Sequence, residues 1–381
     1  MNKIKLLKAS PFYDKYLKNF YIRNPHLYKG SYIEQYQALM NDCFGWSDFW
    51  KTHLEETGQF EVQEIIVNAE YLQKQWAKEN QIKYLAENWE KDILESQIKT
   101  YNPDIFFAHA PSLADNEFLR YIRKKAPSIK KVICWDGVAS NNIQLFQGCD
   151  LMLTCLDSVA DYYRSAGISS YKFSFGFAKQ INNKLIKNRN LYNVSFVGGI
   201  NLFEGGHFKR LETLVGLSRK MDLDLFLGGK VLNDWQLYKW AQRNRLLKGN
   251  LKEAIQINQL GKKNKGETFG IQMYQILADS KISLNIHIDR AKNKAANIRL
   301  FEATGTGTCL LTDWKDNITE YFKPDVEIVT FNTVNDCIDK IKFLLNNENE
   351  RIKIAYAGQK RTLENYSIKQ RIQQIIPILL A

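Results

Sequence analysis

Short apolar runs alternate with helical stretches along almost the whole chain, and this alternation restricts the fold more than any other feature. In the first half the runs are KIKLLKA, VQEIIVN, DIFFAHA, KKVICWD and DLMLTC, separated by helical or loop segments such as Ser31–Gly58 and Ala69–Tyr101. In the second half NVSFVGG, LDLFLGG, KISLNIHID, GTCLLTD and VEIVTF take the same part, with helices such as HFKRLETLVGLSRKM between them. An apolar run of strand length bounded by amphipathic helices belongs to a parallel strand covered on both faces. Its repetition predicts doubly wound α/β sheets.

The pattern breaks over FGFAKQINNKLIKNRN, which is polar, lacks a period and reads as an interdomain linker. The expectation is therefore two Rossmann-like units, residues 1–178 and residues 179–381. The second carries a helical tail from Asn335 onward, in which Pro377 ends or kinks the last helix. A chain of 381 residues with 45% hydrophobic and 25% charged residues suits two globular domains and excludes a mostly disordered one.

The formal net charge is +12, but Lys and Arg are spread along the chain without a dense run. Nucleic-acid binding needs a clustered basic patch, so the charge points to a phosphate-bearing ligand or an anionic membrane leaflet instead. The cysteines, Cys43, Cys134, Cys149, Cys155, Cys309 and Cys337, form no Cys-x-x-Cys pair and read as reduced core thiols of a cytoplasmic protein. The histidines are too scattered to give zinc-ligand spacing. The N-terminal MNKIKLLKASPFYDKY lacks the apolar core of a signal peptide, and no run is long enough to span a membrane, so any membrane contact is expected to be peripheral.

In open α/β sheets ligands bind beyond the carboxyl ends of strands, where the strand order reverses, so residues just after strands are the ones to weigh. The segment NIHIDRAKNKAANIRLFEATGTGTCLLTD, Asn285–Asp313, is the richest. Arg299 and Glu302 are three apart and share a helix face. A carboxylate at Glu302 can accept from both hydroxyls of a ribose, and the Arg299 guanidinium can fork onto a diphosphate. Gly305, Thr306 and Gly307 form a turn whose N–H groups can cradle an anion. The plainer alternative is an i,i+3 surface ion pair followed by a helix C-cap glycine.

A second candidate is SFVGGINLFEGGHFKR, where Gly198 and Gly199 end a strand and a helix carrying Arg210 begins near His207; a helix N-terminus favours an anion, although the turn could equally be a flexible one with solvated cations. His109 and Asp136 end strands of the first half, and either could deprotonate a hydroxyl or simply satisfy a strand end. His287 and Asp289 could line the ligand site or serve the strand-to-loop turn. Asp222-Leu223-Asp224 has the form of a metal-binding Asp-x-Asp, but it starts a strand and reads as solvated caps, so no metal is expected. Trp46, Trp50, Trp76 and Trp89 could stack on sugars, but their helical spacing favours core positions.

The segment resembles the C-terminal motif of group-one glycosyltransferases, and more narrowly their spore-maturation-protein-B-like (CgeB-like) branch. That branch reads as an Asn-x-His strand, a loop, then Asn-x-Arg-Leu-Phe-Glu-Ala-x-Gly. Here these are Asn285, His287, Asn297, Arg299, Leu300, Phe301, Glu302, Ala303 and Gly305. The likeness continues through LLTDWKDNITEYFKP, CIDKIKFLLNN and ERIKIAYAGQKRTLENYS, and includes SYIEQYQALMNDCFGWSDFW and AEYLQKQWAKEN.

The resemblance implies a GT-B fold, two Rossmann-like domains facing across a cleft, and metal-independent transfer from a nucleotide-sugar, UDP- or GDP-linked, used as substrate with no cofactor. It implies that Glu302 holds the ribose and that Asn297, Arg299 and the Gly305–Gly307 turn lie near the sugar and diphosphate. The acceptor hydroxyl would belong to a glycan, a lipid-linked molecule or a protein in cell-surface glycan or glycoconjugate synthesis, at or near the inner face of the membrane. The better-known relatives carry a second glutamate eight positions before the first; here Lys294 stands there, either as an added phosphate contact or exposed. Sugar identity and stereochemical outcome stay open. A transferase using a cytidine-monophosphate sugar and a non-catalytic nucleotide- or glycan-binding protein remain alternatives on the same fold.

Overall fold

The computed structural model describes residues 3–187, 189–202, 206–229, 239 and 251–381. It divides into two compact units, Met1–Ser174 with Lys369–Ala381, and Phe175–Ile368.

The first unit holds β1 (Ile4–Ser10), β2 (Phe60–Ile66), β3 (Ile105–Ala108), β4 (Lys131–Trp135), β5 (Leu151–Thr154) and β6 (Ser170–Lys172), in the order β2-β1-β3-β4-β5-β6. The second holds β7 (Tyr192–Ile200), β8 (Asp224–Gly229), β9 (Ser280–Asn285), β10 (Cys309–Asp313) and β11 (Val329–Phe331), in the order β11-β10-β9-β7-β8. Every pairing is parallel.

The apolar runs become these strands because both faces of each sheet are covered. β3 and β5 are buried at every position. In the second unit Val194, Phe196, Leu225, Leu227, Ile282, Leu284, Cys309 and Leu311 pack in one core with Leu211, Leu214 and Leu217 of the helix Phe208–Ser218. Within the first sheet Lys8 and Glu64 are buried as an ion pair, Nζ to Oε2 2.5 Å. All six cysteines are buried free thiols.

Each sheet has its order reversal next to its first strand, between β1 and β3 in one unit and between β7 and β9 in the other. These are the places where a crevice opens beyond the carboxyl ends.

The stretch that reads as a linker is built into the second unit. Phe177 is 1% exposed, its N–H donates to the Tyr366 carbonyl, and its own carbonyl accepts from the Ile368 N–H. The helical tail comprises Val334–Asn346, Glu348–Asn365 and Ile368–Leu380. The last of these joins the first unit: Lys369 Nζ lies 2.9 Å from Glu56 Oε2, and Lys131 Nζ donates to the carbonyls of Ile378 and Leu379. The chain thus passes between units at 174/175 and again at 368/369, where the sequence suggested a single boundary at 178/179. Pro377 sits inside the final helix without ending it.

Candidate functional site

Several of the polar residues singled out in the second half, His287 and Asn297 among them, lie at the carboxyl ends of β9 and β10. Beyond β9 the chain continues as Ile286-His287. His287 is 2% exposed, its Nδ1 lies 2.7 Å from Asp313 Oδ1 at the end of β10, and its backbone N–H donates to the same oxygen at 3.0 Å. Lys315 Nζ is 2.9 Å from Asp313 Oδ2. Burial pushes the Asp313 carboxyl up, but the His287 hydrogen bond and charge together with Lys315 outweigh it, and its pKa falls to about 2.

A chain of side-chain hydrogen bonds ties this pair to the next helix. Asn285 Nδ2 donates to Thr312 Oγ1 at 3.0 Å, and Asn297 Nδ2 donates to Asn285 Oδ1 at 2.8 Å. Asn297 Oδ1 in turn accepts from the Arg299 N–H at 2.8 Å, which starts the helix Arg299–Thr306. On that helix Glu302 is 6% exposed. Its Oε1 accepts from Tyr274 Oη at 3.1 Å, and its Oε2 lies 2.8 Å from Arg299 Nη1. The latter is an ion pair without hydrogen-bond geometry, so Oε2 is buried with no directed donor among the described residues. Arg299 Nη1 also touches Met273 Sδ. The i,i+3 pair expected from the sequence exists, but it is buried rather than solvated.

Arg210 is a correction. It is 7% exposed, and three of its five N–H donors go to carbonyls: Nη1 to Gly199 at 2.6 Å, and Nε and Nη2 to Ile286 at 3.1 and 2.6 Å. It fastens the end of β7 to the end of β9 at the order reversal instead of gripping a phosphate. Burial lowers its pKa to about 10, with Asp313 and Asp289 opposing, so it is charged at neutral pH. The helix N-terminus beside it is already served: the Lys209 N–H donates to Asp289 Oδ2 at 3.2 Å. Asp289 therefore occupies the position proposed for an anion. Gly198 and Gly199 end β7 opposite Leu227 and Gly228.

The Gly305–Gly307 turn is a second correction. Gly305 and Thr306 belong to the helix, and Gly307, at φ +92°, is its C-cap. A helix C-terminus presents carbonyls, not N–H groups, and carries partial negative charge. Those carbonyls face donors: Asn182 Nδ2 and Gln359 Nε2 reach the Gly305 oxygen, and Lys187 Nζ reaches that of Thr306. The eight-residue helix also carries this turn roughly 12 Å from Arg299, toward the amino end of β10. Gly305 is glycine for packing, since a Cβ there would lie 2.3 Å from the Phe177 ring. Lys294 is exposed.

In the first unit His109 lies just past β3. Its Nδ1 is 3.0 Å from Ser10 Oγ at the end of β1, and its ring stacks on Trp46 with centroids 4.1 Å apart. Burial, with Lys8 adding to it, holds its pKa well below the usual histidine value, so the ring is neutral. Asp136 instead holds its own loop: Oδ1 accepts from the Val138 N–H, and Oδ2 accepts from the Ser140 N–H and Tyr163 Oη. Its carboxylate is 6% exposed and engaged, which is the role of a loop brace rather than a base. Trp46, Trp50 and Trp76 are buried in the core, and Trp89 packs beside Trp76. Asp224 pairs with Lys265 at 2.6 Å, and among the described residues no group of three His, Cys, Asp or Glu side chains is placed to hold a metal.

The sequence reading missed Tyr274, Asp313 and Lys315 as site residues. Asp313 ends an apolar run and the strand-end rule would have found it; Tyr274 lies on the separate helix Gly270–Ala278, with no local signal. Two recesses lie away from this cluster. One of about 280 Å³ is bordered by Val67, Glu90 and Phe118; another of about 310 Å³, bordered by Lys187, Lys281 and Arg351, lies at the amino ends of β9 and β10.

Residues 217–377 match the family described as Glycosyl transferase-like. No curated protein is a significant match. Among solved structures the chain is similar to Anabaena HepE in complex with UDP-glucose, at 11% identity and TM-score 0.59, over 99% of both chains. It is also similar to a glycosyltransferase from Rickettsia africae ESF-5, at 12% identity and TM-score 0.56, over 99% of this chain and 98% of that one. A third is sucrose-phosphate synthase from Thermosynechococcus elongatus, at 10% identity and TM-score 0.57, with the same coverage. At such identities the likeness is one of fold, and with the two parallel sheets it gives the chain the GT-B architecture.

Proposed function

We propose that this chain is a glycosyltransferase that moves a sugar from a nucleoside-diphosphate donor, UDP- or GDP-linked, to an acceptor hydroxyl. The observation that carries this reading is Glu302: a buried carboxylate, braced by Tyr274 and Arg299, with one oxygen lacking a directed donor among the described residues, inside the segment that matches the glycosyl transferase-like family. A ribose hydroxyl supplies the donor that oxygen lacks. The neighbouring structures, one of which holds UDP-glucose, support the same donor class.

In this reading Asn297 positions the start of the Glu302 helix, and Arg299 supplies positive charge toward the diphosphate as negative charge builds on it. Gly198 and Gly199 let the ligand approach the end of β7, and the exposed Lys294 adds a phosphate contact. His109, neutral and oriented by Ser10, is the candidate base for the acceptor hydroxyl. Transfer is taken to be metal-independent. The finer placement, in the CgeB-like branch and in cytoplasmic synthesis of cell-surface glycans or glycoconjugates on glycan, lipid-linked or protein acceptors near the membrane, rests on the sequence resemblance.

The test is calorimetric binding of a nucleotide-sugar panel, followed by donor turnover with and without EDTA. Glu302→Gln should keep the fold and weaken donor binding by about 10- to 100-fold, the range expected when hydrogen bonds to a charged group are lost. Unchanged affinity in a folded variant would sink the site assignment, and loss of turnover on adding EDTA would remove the metal-independent part.

A further inference from the structure

The recess of about 310 Å³ at the amino ends of β9 and β10 lies wholly within the second unit and shares no residue with the cluster around Glu302 and Asp313. β10 runs from Cys309, at the recess, to Asp313, so roughly 13 Å of strand separates the two places.

The recess carries more cation than carboxylate. Lys187, Lys281 and Arg351 border it, and among the described residues Glu348 is the single acid that does. Arg351 is buried and uses two of its five N–H donors, one on the Leu344 carbonyl at 3.2 Å and one on Glu348 Oε1 at 2.7 Å. Lys187 Nζ donates to Asn182 Oδ1 at 2.7 Å and to the Thr306 carbonyl at 3.1 Å, but no carboxylate pairs with it among the described residues. It meets only the partial negative charge of a helix C-terminus. Burial of this ammonium lowers its pKa, as expected of a charge short of compensation. Lys281 is half-buried and has neither an ion-pair nor a side-chain hydrogen-bond partner among the described residues. With Glu348 balancing Arg351, the charges of Lys187 and Lys281 remain without an anion.

One wall of the recess is the helix Glu348–Asn365. Its residues Glu348, Arg351, Ile352, Ala355 and Tyr356 recur at three- and four-residue spacing and so share a side. Ile352 and Tyr356 leave more than half of their surface exposed. Apolar and aromatic side chains beside a few convergent charged groups are the usual make-up of a small-molecule site.

We propose that this recess is a second ligand site, which takes a phosphate monoester with an apolar or aromatic body. The phosphate lies among Lys187, Lys281 and Arg351, and the body lies against Ile352 and Tyr356. A phosphate monoester carries a charge of about −1.5 to −2 at neutral pH, which matches the two lysines, whereas a carboxylate would leave one of them uncompensated. The site requires no nucleotide-sugar at the opposite ends of the strands, so it stands or falls apart from the donor-site reading. A free metabolite and a lipid headgroup both offer this chemistry.

Phenyl phosphate is the soluble probe, and vesicles of phosphatidic acid in phosphatidylcholine present the same group at a lipid surface. A phosphorus NMR titration with the whole chain should show saturable binding of phenyl phosphate with a Kd of about 1 mM or lower. Lys281→Glu breaks no contact within the described residues and should weaken this binding about tenfold or more. Tyr356→Ala, at an exposed position, should weaken phenyl phosphate about three- to tenfold and leave inorganic phosphate unchanged. Sedimentation with the vesicles, lost in Lys281→Glu, identifies a lipid as the source of the phosphate; phenyl phosphate binding without sedimentation identifies a free metabolite. Failure of the wild-type chain to bind either probe, or binding that a folded Lys281→Glu variant leaves intact, overturns the proposal. If Lys281→Glu does not fold, Tyr356→Ala decides: equal affinity for phenyl phosphate in this variant and wild type overturns it.

Discussion

At the scale of single residues, the site depends on which polar atoms have been spent. Arg210 looks available in the sequence, yet its guanidinium bonds two carbonyls; His287 looks like a strand-end residue, yet one of its nitrogens is buried without a partner among the described residues. Asp313 gives the clearest stability prediction. Its folded-state pKa of about 2 lies below the usual 3.8, so its contribution is fully present above about pH 4 and is lost as pH falls toward 2. That contribution is on the order of 2 kcal/mol. Urea unfolding of wild type and Asp313→Asn should differ by about this much at pH 6, with the gap closing between pH 4 and pH 2. A gap independent of pH would show that the carboxylate charge is not what matters.

At the scale of elements, the apolar runs were enough to place ten of the strands, because a doubly covered parallel strand leaves an unbroken hydrophobic signal. β6, Ser170–Lys172, escaped notice: it is three residues long and half-buried at each of them. The end of the helix Arg299–Thr306 was misread for a different reason. Two glycines around a threonine look like a turn, but Gly305 lies within the helix and is a glycine because Phe177, remote in sequence, occupies the space a side chain would fill. Gly305→Ala tests this. Helix propensity alone would favour alanine by about 1 kcal/mol. Overpacking against a ring that is 1% exposed costs about 1–3 kcal/mol or more, and should win. A lower Tm is expected, with little change in the affinity of the remaining folded protein for UDP-glucose. A raised Tm would mean the ring yields. What no local pattern could reveal was convergence: Tyr274 meets Glu302, and Asn285 meets Thr312, only after the sheet has assembled.

At the scale of the whole molecule, the chain visits the first unit twice. The final segment brings Ile372, Ile375 and Leu379 to the first unit, all nearly fully buried. At roughly 1.5–3 kcal/mol each, their removal costs on the order of 5 kcal/mol, comparable with the entire stability of an ordinary domain. Truncation after Ile368 should therefore leave the first unit open to proteolysis while Phe175–Ile368 stays protected and is still stabilised by UDP-glucose. Equal protection of both units in the truncated chain would refute this. The same return fixes a timetable for synthesis. Domains generally form in order as they leave the ribosome, but a unit that needs residues 369–381 has to wait, incomplete, until the polymerisation of nearly two hundred intervening residues is over.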